Sequence, residues 1–133
     1  MEGLTTIPSN FSPNETMDRL EIEIRARGMT VFARINHATL AAEAGLALGP
    51  TEVIVFGHPQ GGTPLMQANQ TIGIDLPLKA LVWQDAIGRT WLSYHDPDWL
   101  AKRHKVSEAE RTLVAMNRGL GELAAQAVKA TNP

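Results

Sequence analysis

A chain of 133 residues carries 12 Lys and Arg against 14 Asp and Glu, a net charge of −2, and no cysteine. That length fits one domain, 1–133, around one hydrophobic core. Interspersed, slightly acidic charge excludes a nucleic-acid-binding stripe, and the missing thiols exclude disulfides, thiolate catalysis and thiolate metal sites. No apolar run approaches the roughly 20 residues of a membrane span, and no charged-then-apolar leader opens the chain, so a cytoplasmic protein without membrane partners is expected.

A weak alternation makes residues 4–8 a short first strand. Ser12, Pro13 and Glu15 then mark a helix start, with Ser12 as N-cap, Pro13 at the first helical position and Glu15 completing a Ser-x-x-Glu capping box. Met17, Leu20 and Ile24 share one face, and Gly28 suits a left-handed C-cap, which predicts a helix over 13–27. Residues 30–36 read as a strand with Val31, Ala33 and Ile35 on its core face. A short alanine-rich helix follows from His37 to Gly45, and the β-branched run 51–56 reads as a central strand buried on both faces.

Residues 67–73 are polar and read as irregular. A strand over 78–84, a turn at 85–88 and a strand over 90–94 form an antiparallel hairpin, with Pro77 at the start of the first strand or on an edge. Asp96-Pro97 repeats the cap-then-proline pattern and opens a short helix to His104. Ser107 and Glu110 form a second capping box before an apolar stripe of Leu113, Met116, Leu120, Leu123 and Ala127, which predicts a long helix over 107–129. Gly119 and Gly121 weaken its middle, each by about 1 kcal/mol relative to alanine. The expected class is α+β: a curved, mainly antiparallel sheet in the order β-α-β-β-β-β-α, with small inserted helices and a long C-terminal helix.

The chemistry concentrates in VIVFGHPQGGTPLM at 53–66, where a buried strand opens into Gly57, His58, Gly61, Gly62 and Thr63. Loops at strand mouths commonly contact ligands. Glycines let backbone N–H groups approach an anion, and Thr63 would cap a helix restarting at Thr63-Pro64. The same residues also suit a tight turn leading into a helix. Neither a Walker A ending nor a dinucleotide glycine pattern is present. His37 and His58 both follow strands and, with Asp75, would suit a divalent metal if they converged; no HxH or HExxH spacing supports it, and no metal or cofactor is assigned. Asp75 and Lys79 stand on one face of a strand as an acid–base pair or a surface ion pair. Tyr94, beside His95 and Asp96, offers a phenol to orient a small ligand.

Several pieces, FGHPQGGTPLM at 56–66, GIDLPLKALVW at 73–83, YHDP at 94–97, LAKRH at 100–104 and HATLAAEAGLALGPTEVIVFG at 37–57, resemble the domain-of-unknown-function family 302 over about 14–105. The resemblance implies a fold like that of the TATA-box-binding protein, a β-α-β4-α arrangement in which dimers are common. It implies no established activity and leaves the long helix after Lys105 outside the shared pattern. The acidic balance argues against DNA binding despite the fold analogy.

The reading that ranks first is a dimeric binding module for a small, anionic or carboxylate-bearing ligand at 57–63, with His37, Asp75, Lys79 and Tyr94 nearby. The first alternative is an enzyme using His58 or His37 as general base with Asp75 or Lys79. The second is an interaction protein acting through its dimer surface.

Overall fold

In the computed structural model, which describes residues 1–129, the strands are β1 (Leu4–Ser9), β2 (Thr30–Asn36), β3 (Thr51–Gly57), β4 (Leu78–Gln84) and β5 (Thr90–His95). The helices are α1 (Pro13–Ala26), α2 (His37–Glu43), α3 (Pro59–Ala68), α4 (Pro97–Arg103) and α5 (Glu110–Val128), with a 3-10 helix at Gln70–Ile74. Residues 130–133 of the expected domain lie outside the described residues. The strands form one sheet in the order β1-β5-β4-β3-β2, every neighbouring pair antiparallel. The α+β class and the element order are those expected.

Ser12 caps α1 by accepting the Glu15 N–H at 3.2 Å, and Gly28 ends it at a φ of 76°, where only glycine is unstrained. The apolar face of α1 (Met17, Leu20, Ile24) meets Leu120, Leu123 and Ala127 of α5, and both helices lie on the sheet side formed by Ile54, Phe56, Val82 and Leu92. A second cluster joins Leu65 of α3, Ile72, Leu100 of α4, Val106 and Leu113 of α5. At the end of α5, the Arg19 guanidinium donates to the carbonyls of Gln126, Ala127 and Lys129 at 3.0–3.2 Å, satisfying acceptors that a helix end leaves open.

In β2 the expected alternation fails. A bulge between Val31 and Ala33 makes Phe32 the extra residue, so Val31 pairs with core-facing Phe56 whereas Ala33 and Ile35 pair with Val55 and Val53 on the other side. Arg34 consequently turns toward α1. For β3, burial on both faces is corrected to one: Ile54 and Phe56 are fully buried, but Val53 and Val55 are half-buried on the face turned away from α1 and α5. The α5 helix begins at Glu110, three residues later than expected, and its N-cap Ala109 makes no side-chain cap bond. Lys105 adopts a φ of 56° at the end of α4, and burial of Val106 fixes the connection before a helix can start. The Asp96 side chain accepts from the Thr5 hydroxyl instead of capping α4.

Arg34 is the electrostatic joint between β2, β3 and α1. It donates to Glu52 at 2.9 and 3.1 Å, to Asp18 at 2.9 Å and to Glu21 at 3.1 Å. Hydrogen bonds from Arg34 and then Arg25 hold the Glu21 carboxyl below its ordinary value, and Glu52 above all keeps Arg34 protonated. A carboxyl depressed by folding stabilises above its ordinary glutamate pKa, and that increment is lost as pH falls through the folded value. Arg34→Leu is therefore expected to cost about 1–3 kcal/mol at neutral pH, in a urea titration, and less near pH 4. An equal cost at both pH values would contradict this account of the joint.

Candidate functional site

The 57–63 stretch is the beginning of a helix. His58 is the N-cap of α3, its Nδ1 accepting the Gln60 N–H at 3.3 Å, and Pro59 takes the first helical position. The N–H groups of Gly61 and Gly62 donate to the His58 carbonyl at 2.8 and 3.1 Å. These groups, expected to cradle an anion, are used within the helix, and Thr63 sits in its body rather than at its cap. The restart at Thr63-Pro64 is thus corrected to a start at Pro59, with Pro64 inside the helix.

What the glycines do instead is leave space. A Cβ on Gly61 would meet only Met116 Cε, at 3.6 Å, and one on Gly62 would meet Leu76 Cδ1, at 3.7 Å. Across from them Gly119 on α5 has nothing within 4 Å of its Cβ position. Between α3 and α5, at the β3 exit, lies an open cavity of about 770 Å³. Its floor holds buried Leu120 and Leu123 with half-buried Met29, Met66 and Met116; its mouth carries exposed Phe32, His58, Thr63, Arg27 and Arg111. Three of the chain's five methionines therefore line one surface. Methionine is flexible and polarizable, suited to surfaces that adapt to what they bind.

Of the residues singled out from sequence, Gly57, His58, Gly61, Gly62 and Thr63 line this cavity, whereas His37, Asp75, Lys79 and Tyr94 do not. The two strand-end histidines fail to converge because β2 and β3 are antiparallel: Thr30 pairs with Gly57 and Asn36 with Glu52. His37 and His58 therefore leave opposite ends of the sheet, about 20 Å apart at about 3.3 Å per residue. Among the described residues no group of three His, Asp or Glu is placed to hold a metal ion.

Asp75 pairs with a residue from another element. Its carboxylate meets His104 Nε2 and lies 3.2 Å from Arg103 Nη1, while His104 Nδ1 is 2.9 Å from Thr71 Oγ1 and the His104 carbonyl accepts from Asn69. An ionised carboxylate accepts only, so Nε2 carries the proton. This set, centred on the buried His104, ties the 3-10 helix to the end of α4. Lys79, expected as the partner of Asp75, donates to the backbone carbonyls of Asp75 and Pro77 at 3.3 and 3.1 Å. Tyr94 faces the helix side, where burial and then the Asp96 carboxylate raise its phenol above the ordinary value against a lowering bond with Thr5. It stays protonated at neutral pH. Neither histidine expected as a base has Asp75 or Lys79 as a hydrogen-bond partner.

Sequence reasoning did not find Met29, Phe32, Arg111, Met116 and Gly119 as cavity residues. The one signal was Gly119, a costly residue in mid-helix, which lines the cavity where the equally open Gly121 does not.

The family described as "Domain of unknown function DUF302" matches residues 5–123, so the chain belongs to it. The match includes most of α5, which corrects the expectation that the long helix stands outside the shared pattern. A Bacillus stearothermophilus structure, "uncharacterized conserved protein DUF302", is similar at a TM-score of 0.85 and 21% identity, covering 96% of this chain and 99% of its own. That likeness shows a shared fold. A Brucella suis protein named "Fluoride-specific ion channel FluC 1" is 48% identical over 120 residues, covering 90% of this chain and 47% of its own length. A Brucella abortus protein of the same name is also 48% identical, with 44% of its length covered. The chain spans about half the length of the curated relatives it matches.

Proposed function

We propose that this DUF302 member is a binding module whose site is the cavity between α3 and α5 and whose ligand is a small molecule with a mainly apolar body. The carrying observation is a concave surface of about 770 Å³, floored by leucines and methionines and kept open by glycines on both facing helices. Small-molecule sites occupy about 300–1,000 Å³ and combine an apolar lining with a few polar groups.

The fluoride-channel name of the Brucella relatives is read as belonging to their remaining length. Among the described residues no helix is long and apolar enough to cross a membrane. A compact, strongly hydrated anion would also lose its water in an apolar cavity with little to replace it. On this reading the matched half is an accessory to a channel in those relatives, and its own ligand is a different molecule.

A second reading, self-association, is favoured by the sheet face turned away from α1 and α5. Ile35, Val53 and Leu81 form one row there, beside Trp83 and Trp91, whose ring centroids are 6.1 Å apart. Ile35 is 37% exposed. A homodimer burying this face predicts that sedimentation velocity gives a dimer which Ile35→Glu converts to monomer; a monomer throughout would remove the reading.

For the cavity, Gly119→Phe is the direct test. Open space receives the ring, and any residue other than proline improves on glycine in a helix, so the melting temperature is expected to hold or rise. Binding of the neutral fluorophore N-phenyl-1-naphthylamine should fall at least about tenfold, as expected for a lost apolar contact of about 1.4 kcal/mol or more. Unchanged binding in this variant would place the probe elsewhere.

A further inference from the structure

We infer that the ligand is an amphipathic acid, an elongated apolar body with one anionic head group, and that the head rests against Arg111. This deepens the cavity reading and rests on it. The ionisable residues lining the cavity are Arg27, Arg111 and His58, and no carboxylate lines it. The two arginines are not equivalent. Arg27 is neutralised by Glu122 at 2.7 Å, whereas among the described residues Arg111 has no carboxylate within ion-pair distance. Arg111 thus stands at one end of the cavity without an ion-pair partner among the described residues, with Glu108 and Glu110 on the adjoining surface rather than in the cavity lining.

The cavity is long as well as apolar. Arg111 and Leu123 both line it and both lie on α5, so it extends roughly 18 Å along that helix at about 1.5 Å per residue. Near Arg111 the neighbours are polar or small, with Thr112, Thr63 and Ala115. Toward Leu123 they become Met116, Leu120, Met29 and Phe32. A polar head at Arg111 and a hydrocarbon tail toward Phe32 therefore follow the same axis. A planar guanidinium that binds carboxylate through two parallel N–H groups favours a carboxylate head.

Three ligands with the same chain and different heads separate this inference from the reading beneath it. Laurate, lauryl alcohol and dodecyltrimethylammonium would be titrated by calorimetry below their micelle concentrations, into the wild-type protein and Arg111→Gln. The expected order is laurate tightest by about tenfold or more over the alcohol, as a charge-assisted hydrogen bond supplies, and the ammonium weakest. Arg111→Gln should bring laurate to the level of the alcohol and leave the alcohol unchanged. Equal affinities for all three, or laurate binding indifferent to Arg111→Gln, would overturn the acid head while leaving an apolar site. No binding of any of them would overturn both.

Discussion

Everything in the fold depends on α5 being held along two hydrophobic clusters at once. Its N-terminal turn places Leu113 against Leu65, Ile72 and Leu100, and its C-terminal half lays Leu120, Leu123 and Ala127 on α1 and the sheet. Each fully buried leucine contributes about 1.5–3 kcal/mol. With both ends anchored, and the last carbonyls satisfied by Arg19, the middle of the helix cannot collapse onto α3. The cavity is the gap between the two clusters, and it persists because its walls are held elsewhere.

Composition decides how that gap is lined. Glycine at 61, 62 and 119 removes the side chains that would close it, at a cost of about 1 kcal/mol for each mid-helix glycine relative to alanine. Methionine at 29, 66 and 116 supplies apolar surface able to repack. A chain built for stability alone would fill the space with alanine and leucine, and costly residues around a cavity are the pattern expected where binding needs the room.

Local signals made much of this fold legible. Ser12-Pro13 with Gly28 fixed α1, alternation fixed β4 and β5, and the short Asp85-to-Gly88 turn fixed their pairing. The site was legible only in part. His58-Pro59 carries the same cap-then-proline signal as Ser12-Pro13, yet Gly61, Gly62 and Pro64 disguise it, because their low helix propensity is overridden by packing of Leu65 into the second cluster. The bulge at Phe32 left no trace in a regular alternation. Pairing across the sheet and between distant elements is a tertiary fact: antiparallel register separates His37 from His58, and only the return of α4 brings His104 to Asp75. The opposite wall of the cavity, from Arg111 to Leu123, is likewise set by where α5 docks.

The most direct test of the central claim is a methyl NMR titration of the protein labelled at its methionines, with N-phenyl-1-naphthylamine as probe. Met29, Met66 and Met116 line the cavity, Met17 is fully buried on the core face of α1, and Met1 is 98% exposed. The account predicts saturable shifts at Met29, Met66 and Met116 with Met17 and Met1 unmoved. Shifts absent from those three, or confined to Met1, would show that the gap between α3 and α5 is not a binding site.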